Sequence, residues 1–391
     1  MAGVTSRDNQ MNFQFPEELD MLRQTVRGYV NDYLRPLEAR VEAEDHFSDE
    51  DFLRLRREAV ALGLYAHNLP ESVGGAGLSM LGQVVIGEEI GKTSMPLADA
   101  IGFLPASMSL AADHQRDWFV DPVVSGELTV AYALTEPDAG SDLGGLKTRA
   151  SRTGAGWVLR GAKQFISGAD YADFIIVLAV TDLAAPLRSR FTLFIVPRSN
   201  PGFKYSGNFR KMGWRGYQLG AFSLEDCELP ESHVLGEVGG GFAAMMATIN
   251  TTRIEYSARY VGMADELLRL ARNYVRERQA FGSRLADHQA IQFMLADSDC
   301  EVEASRLLTY RAATLADEGD PSFRVAGSRS KLYASEMVGR VADRVLQIFG
   351  GAGYMCDWPV ERMYRDARAF RIGEGTSEMQ RIQIARAFLS E

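Results

Sequence analysis

Phe174-Ile175-Ile176-Val177-Leu178 and, after a polar break, Phe191-Thr192-Leu193-Phe194-Ile195-Val196 are short apolar runs rich in aromatic and β-branched residues. Bounded by Gly, Asp, Asn and Pro, they read as buried strands. Trp157-Val158-Leu159 adds another upstream, so residues 126–230 form a strand-rich block. The period changes on both sides of it. Upstream, Leu19, Leu22, Val26, Val30 and Leu34 recur at helical spacing. Ser48-Asp49-Glu50-Asp51 marks a helix start, with acids at the positive end of the dipole. A half-buried helix is expected over residues 79–92, after the Gly74-Gly75-Ala76-Gly77 turn. Beyond Gly239-Gly240-Gly241 the helical period returns over residues 241–278, 288–318, 322–349 and 378–389, which implies a bundle. Helix, strand, helix is an α+β architecture in three parts, with a helical domain over residues 1–125, a β domain over 126–236 and a C-terminal helical domain over 237–391.

Composition bounds the function. The chain has 391 residues, 46% hydrophobic and 24% charged, within the range of globular proteins. A net charge of −10 argues against a nucleic-acid partner, which requires clustered Lys and Arg. No apolar run approaches the roughly 20 residues of a membrane span. The polar Met1 to Gln10 segment shows no apolar signal core, so the expectation is a cytoplasmic protein. Cys227, Cys300 and Cys356 have no short spacing, and the five histidines (His46, His67, His114, His233, His288) form no His-x-x-x-His pair. Neither a disulfide framework nor a metal site is expected.

Two phosphate-binding patterns are near misses. Gly87-Glu88-Glu89-Ile90-Gly91-Lys92-Thr93 has three residues between its glycines where a P-loop needs four, and it puts two acids where phosphates would lie. Gly351-Ala352-Gly353-Tyr354-Met355-Cys356 lacks the third glycine of a dinucleotide fingerprint and follows a helix instead of a strand.

Two other segments carry the functional signal. Ala133-Leu134-Thr135-Glu136-Pro137-Asp138-Ala139-Gly140-Ser141-Asp142-Leu143-Gly144-Gly145 opens the β region, and Arg371-Ile372-Gly373-Glu374-Gly375-Thr376-Ser377-Glu378 lies near the C-terminus. In this order and this far apart they resemble the acyl-CoA dehydrogenase family. The resemblance implies a middle β-barrel or sandwich, a C-terminal four-helix bundle, and FAD. In the first segment it places Leu134, Thr135, Gly140 and Ser141 against the flavin, with Ser141 also facing the CoA arm. Small residues let a backbone approach a flat ring, and hydroxyls match its carbonyls and nitrogens. Lys163-Gln164-Phe165-Ile166-Ser167 resembles the second flavin strand, with Phe165 where Trp is usual and Ser167 where Thr is usual. Arg276-Glu277-Arg278-Gln279-Ala280-Phe281-Gly282 followed by His288-Gln289 resembles a segment whose arginine pairs with the FAD pyrophosphate of a neighbouring subunit. This implicates Arg278, Phe281 and Gln289 in cofactor binding. A guanidinium fork suits a phosphate. Ala280 stands where a threonine hydroxyl is common. Gln347-Ile348-Phe349-Gly350-Gly351 resembles another FAD segment, implicating Gln347, Gly350 and Gly351. Sharing a cofactor between subunits implies an oligomer, a homotetramer by resemblance.

Oxidising an acyl thioester at Cα–Cβ needs a carboxylate to take the α-proton on the face opposite the hydride acceptor, and donors for the enolate oxygen. The resemblance assigns the base to Glu374, with its own N–H as one donor. Some relatives carry the base on an earlier helix, at the position of Thr252 here, and a threonine cannot serve. By the same resemblance Asn250 and Arg253 contact CoA, and Thr376 and Glu378 contact FAD. Gly373 stands where tyrosine often precedes the base, which widens the pocket toward branched, cyclic or aromatic acyl groups. Electrons are expected to pass to an electron-transfer flavoprotein. Four alternatives share the scaffold. An oxidase of nitroalkanes or a monooxygenase fits poorly with a glutamate at this position. A dehydrogenase of carrier-protein-bound acyl groups remains open. A non-catalytic, nucleic-acid-protective relative calls for a basic C-terminal extension.

Overall fold

The computed structural model describes residues 15–390; the Met1 to Gln10 segment and Glu391 lie outside them. Before the sheet come α1 (Glu17–Tyr29), α2 (Glu38–Glu44), α3 (Asp49–Ala61), α4 (Met80–Ile90), α5 (Met95–Ala98) and α6 (Asp121–Val124). Ser48 caps α3 as the sequence predicts, its hydroxyl accepting from the Asp51 N–H at 3.2 Å.

Helix α4 departs from the half-buried helix expected for it. Met80 and every residue from Gly82 to Ile90 are buried. The cause is close backbone approach to the long helix α7 (Gly241–Glu277). A Cβ at Gly91 would lie 2.2 Å from the Arg259 carbonyl oxygen, and one at Gly262 would lie 2.0 Å from that of Glu88. The glycines that mimic a P-loop therefore form a helix crossing. The two acids between them are buried ion-pair partners. Glu88 takes Arg306 at 3.1 Å and the Tyr310 hydroxyl at 2.5 Å, and Glu89 takes Arg27 at 2.9 Å and Lys92 at 2.8 Å.

The strands are β1 (Val130–Ala133), β2 (Arg149–Thr153), β3 (Gly156–Ser167), β4 (Phe174–Val180), β5 (Phe191–Pro197), β6 (Phe203–Asn208), β7 (Leu219–Leu229) and β8 (Val234–Leu235). They make one sheet in the order β6-β7-β3-β2-β4-β5-β8, with β1 parallel to β4. The continuous apolar runs of β4 and β5 follow from burial on both faces. Ile175, Val177, Phe194 and Val196 pack with Trp157, Leu159, Phe222 and Leu224 inside the β domain. The alternate residues Ile176, Leu178, Leu193 and Ile195 pack on Met108, Phe119, Val120 and Met245 from the helical parts.

After α7 come a hairpin of β9 (Gln279–Ala280) and β10 (Ser283–Arg284), then α8 (Gln289–Asp317), α9 (Phe323–Phe349), α10 (Gly351–Tyr354), α11 (Val360–Ala369) and α12 (Ser377–Ser390). The ten-residue α11 is absent from the helices read by periodicity. Its buried face mixes Val360, Met363 and Ala367 with Arg362 and Asp366, so its apolar period is broken. Helices α7, α9 and α11 share a core around Leu267, Val338, Val345 and Phe349.

Candidate active site

Glu374 sits in the turn between α11 and α12 with left-handed backbone, φ 55°, followed by Gly375 at φ 85°. For a glutamate this conformation is uncommon and must be held by its surroundings. Three side chains hold it. Arg253 Nε donates to the Glu374 carbonyl at 3.2 Å, and Gln380 Nε2 donates to the Gly375 carbonyl at 3.0 Å. Lys331 Nζ donates to the same Gly375 oxygen at 2.6 Å. The φ of 85° at Gly375 is strained for any side chain, so the position favours glycine. Among the described residues the Glu374 N–H has no hydrogen-bond acceptor.

The Glu374 side chain keeps partial solvent exposure although its carboxyl is deeply surrounded by protein. Burial raises its pKa above the ordinary glutamate value. Arg253, then Lys331 and Arg259, pull it back, and Asp99 adds to the rise. Helix α7 brings Asn250, Thr252 and Arg253 to this point. Asn250 Oδ1 lies 3.5 Å from Arg253 Nη1. The Thr252 hydroxyl donates back to the Thr248 carbonyl at 2.9 Å and offers no base. Gly373 is exposed, and a Cβ built on it meets nothing nearer than the Ala369 carbonyl at 3.9 Å. The Thr376 hydroxyl accepts from the Met379 N–H at 3.3 Å and so caps α12, with Glu378 exposed in that helix's first turn.

The second cluster lies where β1 runs into its loop. Gln164 N–H donates to the Thr135 carbonyl at 3.0 Å, joining the Leu134-Thr135 turn to β3. A buried ion pair locks this junction. Lys163 Nζ donates to Glu136 Oε1 at 2.9 Å and to the Leu134 carbonyl at 2.8 Å. Glu136 also accepts from the N–H groups of Lys147 (2.6 Å) and Thr148 (3.0 Å). Burial pushes the acid's pKa up, but the Lys163 charge, with hydrogen bonds from Thr148, Lys147 and Lys163, outweighs it and holds the pKa below the ordinary value. Gly140 and Ser141 are exposed beside it. Phe165 stands at an irregularity in the β3–β7 register with φ 58°, half exposed, its ring 4.8 Å from that of Phe209. Ser167 lies two residues on, beside the part-buried Tyr217.

The remaining predicted residues are not brought to Glu374 within one chain. Arg278 ends α7, 25 residues beyond Arg253, which is about 37 Å at about 1.5 Å per residue. Phe281 projects fully into solvent from the hairpin, with φ 53°. His288 braces that hairpin, its Nε2 3.1 Å from both the Ala280 carbonyl and Ser283 Oγ, and exposed Gln289 opens α8. Gln347, Gly350 and Gly351 lie at the end of α9, tied to the same region by Tyr274 stacked on Phe349 at 4.1 Å. A Cβ on either glycine meets no atom within 4 Å.

Three groups near the site escaped the sequence reading: Lys331, the Glu136–Lys163 pair, and an Asp99–Arg259–Glu255 cluster. An apolar-to-charge anomaly marks the first, a lysine on a small-residue face (Ala326, Gly327, Ser330, Ala334). A cavity of about 950 Å³ lies in a different place. Arg27, Glu89, Lys92, Glu266 and Asp299 line it, and it contains none of the predicted site residues.

The chain matches the acyl-CoA dehydrogenase N-terminal, middle and C-terminal domain families over residues 16–127, 131–227 and 239–389. It is 37% identical over 378 residues to the mitochondrial short-chain specific acyl-CoA dehydrogenase of Homo sapiens, covering 95% of this chain and 90% of that protein. It is 35% identical to the probable acyl-CoA dehydrogenase YngJ of Bacillus subtilis, covering 97% and 100%. The butyryl-CoA dehydrogenase structure from Megasphaera elsdenii superposes with TM-score 0.90 at 32% identity, over 97% of this chain and 100% of that one. Structures of glutaryl-CoA dehydrogenase with glutaryl-CoA give TM-score 0.88 at 31% identity, over 97% of each chain. The chain belongs to the acyl-CoA dehydrogenase family of FAD-dependent oxidoreductases.

Proposed function

We propose that the protein converts an acyl-CoA thioester to the trans-2-enoyl-CoA, with Glu374 as the base that removes the α-proton. One observation carries the reading. The Glu374 carbonyl is held by Arg253 while its carboxyl has no hydrogen-bonded partner among the described residues, in a surround that raises its pKa. A base with its pKa shifted toward neutrality is poised for proton transfer. The unengaged Glu374 N–H provides a donor for the enolate oxygen.

The residues present fit FAD. The half-exposed Phe165 ring, the Leu134 and Thr135 turn, and the open approach over Gly140 and Ser141 suit a flat ring. Ser167 and Thr376 offer hydroxyls. The exposed Arg278 guanidinium and the unobstructed Gly350 and Gly351 suit the pyrophosphate and adenosine half, with Phe281, Gln289 and Gln347 beside them. The bound cofactor supplies the hydride acceptor. Because Arg278 lies so far along α7 from Arg253, one chain does not offer both ends of one cofactor site. That separation supports an oligomer in which subunits share each FAD, a homotetramer by resemblance. Asn250 and Arg253, with Ser141, hold the CoA portion, and closure of substrate over Glu374 excludes water from the base. The open space at Gly373 favours branched, cyclic or aromatic acyl groups. Electrons pass onward to an electron-transfer flavoprotein.

The test is anaerobic titration of the yellow holoenzyme with straight-chain, branched and cyclic acyl-CoAs. Bleaching of the flavin with formation of the enoyl-CoA is the expected result. A protein that binds FAD yet is bleached by none of them contradicts the reading.

A further inference from the structure

Two large apolar rings stand exposed beside the residues that suit the flavin. Phe165 is 51% and Phe209 38% exposed, and their ring centres lie 4.8 Å apart with the planes at 55°. They come from strands that are not neighbours. Strand β7 runs between β3 and β6, and two strand spacings of about 4.8 Å would keep side chains about 9.6 Å apart. Each of the flanking strands carries an extra residue at this level. Between the pairs Lys163–Phe222 and Ile166–Gly220, β3 sets Gln164 and Phe165 against Ala221 alone. Between the pairs Tyr205–Phe222 and Gly207–Ala221, β6 sets Ser206 against nothing. An extra residue of this kind bends a strand and re-aims its side chains.

Both residues are fixed by their surroundings. Phe165 has left-handed backbone, φ 58°, which is uncommon for a bulky aromatic and must be held in place. On one side its neighbour Gln164 is tied to the flavin turn. The Gln164 N–H donates to the Thr135 carbonyl at 3.0 Å, and its Nε2 donates to the Glu136 carbonyl at 3.3 Å. On the other side stands the Phe209 ring. The Phe209 N–H donates to the Leu219 carbonyl at 2.9 Å, which continues the ladder past the end of β6. The loop beyond it is fastened to the helical parts. Trp214 N–H donates to Asp366 Oδ1 at 2.5 Å, Gly216 N–H to Asp45 Oδ1 at 2.8 Å, and the Tyr217 hydroxyl to Asp99 Oδ2.

We propose that Phe209 is a positioning residue for the cofactor: it holds the Phe165 ring toward the flavin, so that two phenyl rings act as one aromatic wall. The inference rests on the FAD reading above. Phenylalanines that only fill the β-domain core are buried, as Phe203 on β6 and Phe222 on β7 are. Phe165 and Phe209 are not of that kind. A strained residue with a half-exposed ring has other conformations open to it, and a misplaced ring loses contact with a flat ligand. A second ring 4.8 Å away restricts those conformations. An aromatic pair in such a tilted arrangement contributes beyond the area it buries.

Serial dilution of the holoenzyme, read by the fluorescence of released flavin, measures FAD affinity. Visible circular dichroism of the bound flavin reports its surroundings. Phe209→Ala is expected to weaken FAD binding about two- to tenfold and to alter the flavin dichroism, with the far-ultraviolet spectrum unchanged. Phe209→Tyr, which keeps the ring, is expected to match the parent on both counts. In a double-mutant cycle the loss caused by Phe209→Ala should vanish in the Phe165→Ala background, where no ring is left to hold. Additive losses in that cycle, or parent-like affinity and dichroism in Phe209→Ala, overturn the inference and leave the FAD reading standing. A change in oligomer mass with both flavin readouts unaltered also overturns it, by making the rings a subunit contact. A parent protein that takes up no FAD overturns both readings. Should Phe209→Ala not fold, Phe209→Leu, which keeps apolar bulk without a ring, carries the same comparison.

Discussion

Replacing Lys331 with methionine separates what this lysine does to stability from what it does to the base. Lys331 is wholly buried, and burial lowers its pKa from 10.5 to about 8. Between about pH 8 and 10.5 the unfolded chain therefore holds a proton that the native chain has released, so stability rises with pH across that window. Below it, the charged amine is a burden of about 3 kcal/mol, from the fall in pKa at about 1.4 kcal/mol for each tenfold. Methionine removes that burden together with the charge-assisted bond to the Gly375 carbonyl, worth about 1.5–3 kcal/mol. The two nearly cancel. The variant is expected within about 1.5 kcal/mol of the parent, a melting shift of about 2 °C at about 2.1 cal/mol/K per residue. On Glu374 nothing cancels. Lys331 is, after Arg253, the strongest of the charges opposing the rise that burial imposes on its pKa. Without that cation the carboxyl rises further, and since only the carboxylate takes the proton, the acid limb of the rate profile moves to higher pH. Stopped-flow flavin reduction across about pH 5.5 to 9, beside thermal melts, reads both effects. An acid limb that stays put or moves lower, or a stability loss beyond about 3 kcal/mol, refutes this positioning role.

Glu136→Gln leaves Lys163 unpaired in a dry site and turns one amide face toward backbone N–H groups. It is expected to lose about 3–5 kcal/mol in denaturant unfolding, with FAD content falling alongside; unchanged stability would mean the junction is held by other contacts. Arg278→Ala should weaken FAD retention about 10- to 100-fold by loss of a charge-assisted phosphate contact. Flavin absorbance per subunit after extensive dialysis measures it, and full retention would place the pyrophosphate elsewhere.

The sequence exposed what is local. A Gly-Glu-Gly-Thr turn and a Thr-Glu-Pro-Asp-Ala-Gly-Ser-Asp loop are contiguous, because a backbone laid against a flat ring must be built from consecutive residues. The strand block was legible for a related reason: β4 and β5 are buried on both faces, so their apolar character is unbroken. What stayed hidden depends on distant pairing. Asp99 and Arg259, or Lys331 and Gly375, are ordinary residues until the fold joins them. Glu88 and Glu89 registered only as two acids that spoil a P-loop, because nothing nearby in sequence announces Arg306 and Arg27. The tight crossing at Gly91 and Gly262 turned an expected half-exposed helix into a buried one. Helix α11 was missed because buried Arg362 and Asp366 interrupt its apolar stripe.

The identity of the base is the central claim, and Glu374→Gln tests it most directly. Glutamine keeps the side-chain volume and the left-handed turn held by Arg253 and Gln380, but it cannot accept the α-proton. Anaerobic stopped-flow reduction of the bound flavin by a good acyl-CoA substrate is measured in parent and variant at equal FAD content. General-base catalysis contributes roughly 100- to 10,000-fold, and a fall of that size with substrate binding preserved is the expected result. Near-normal reduction in the FAD-loaded variant would show that another residue removes the proton.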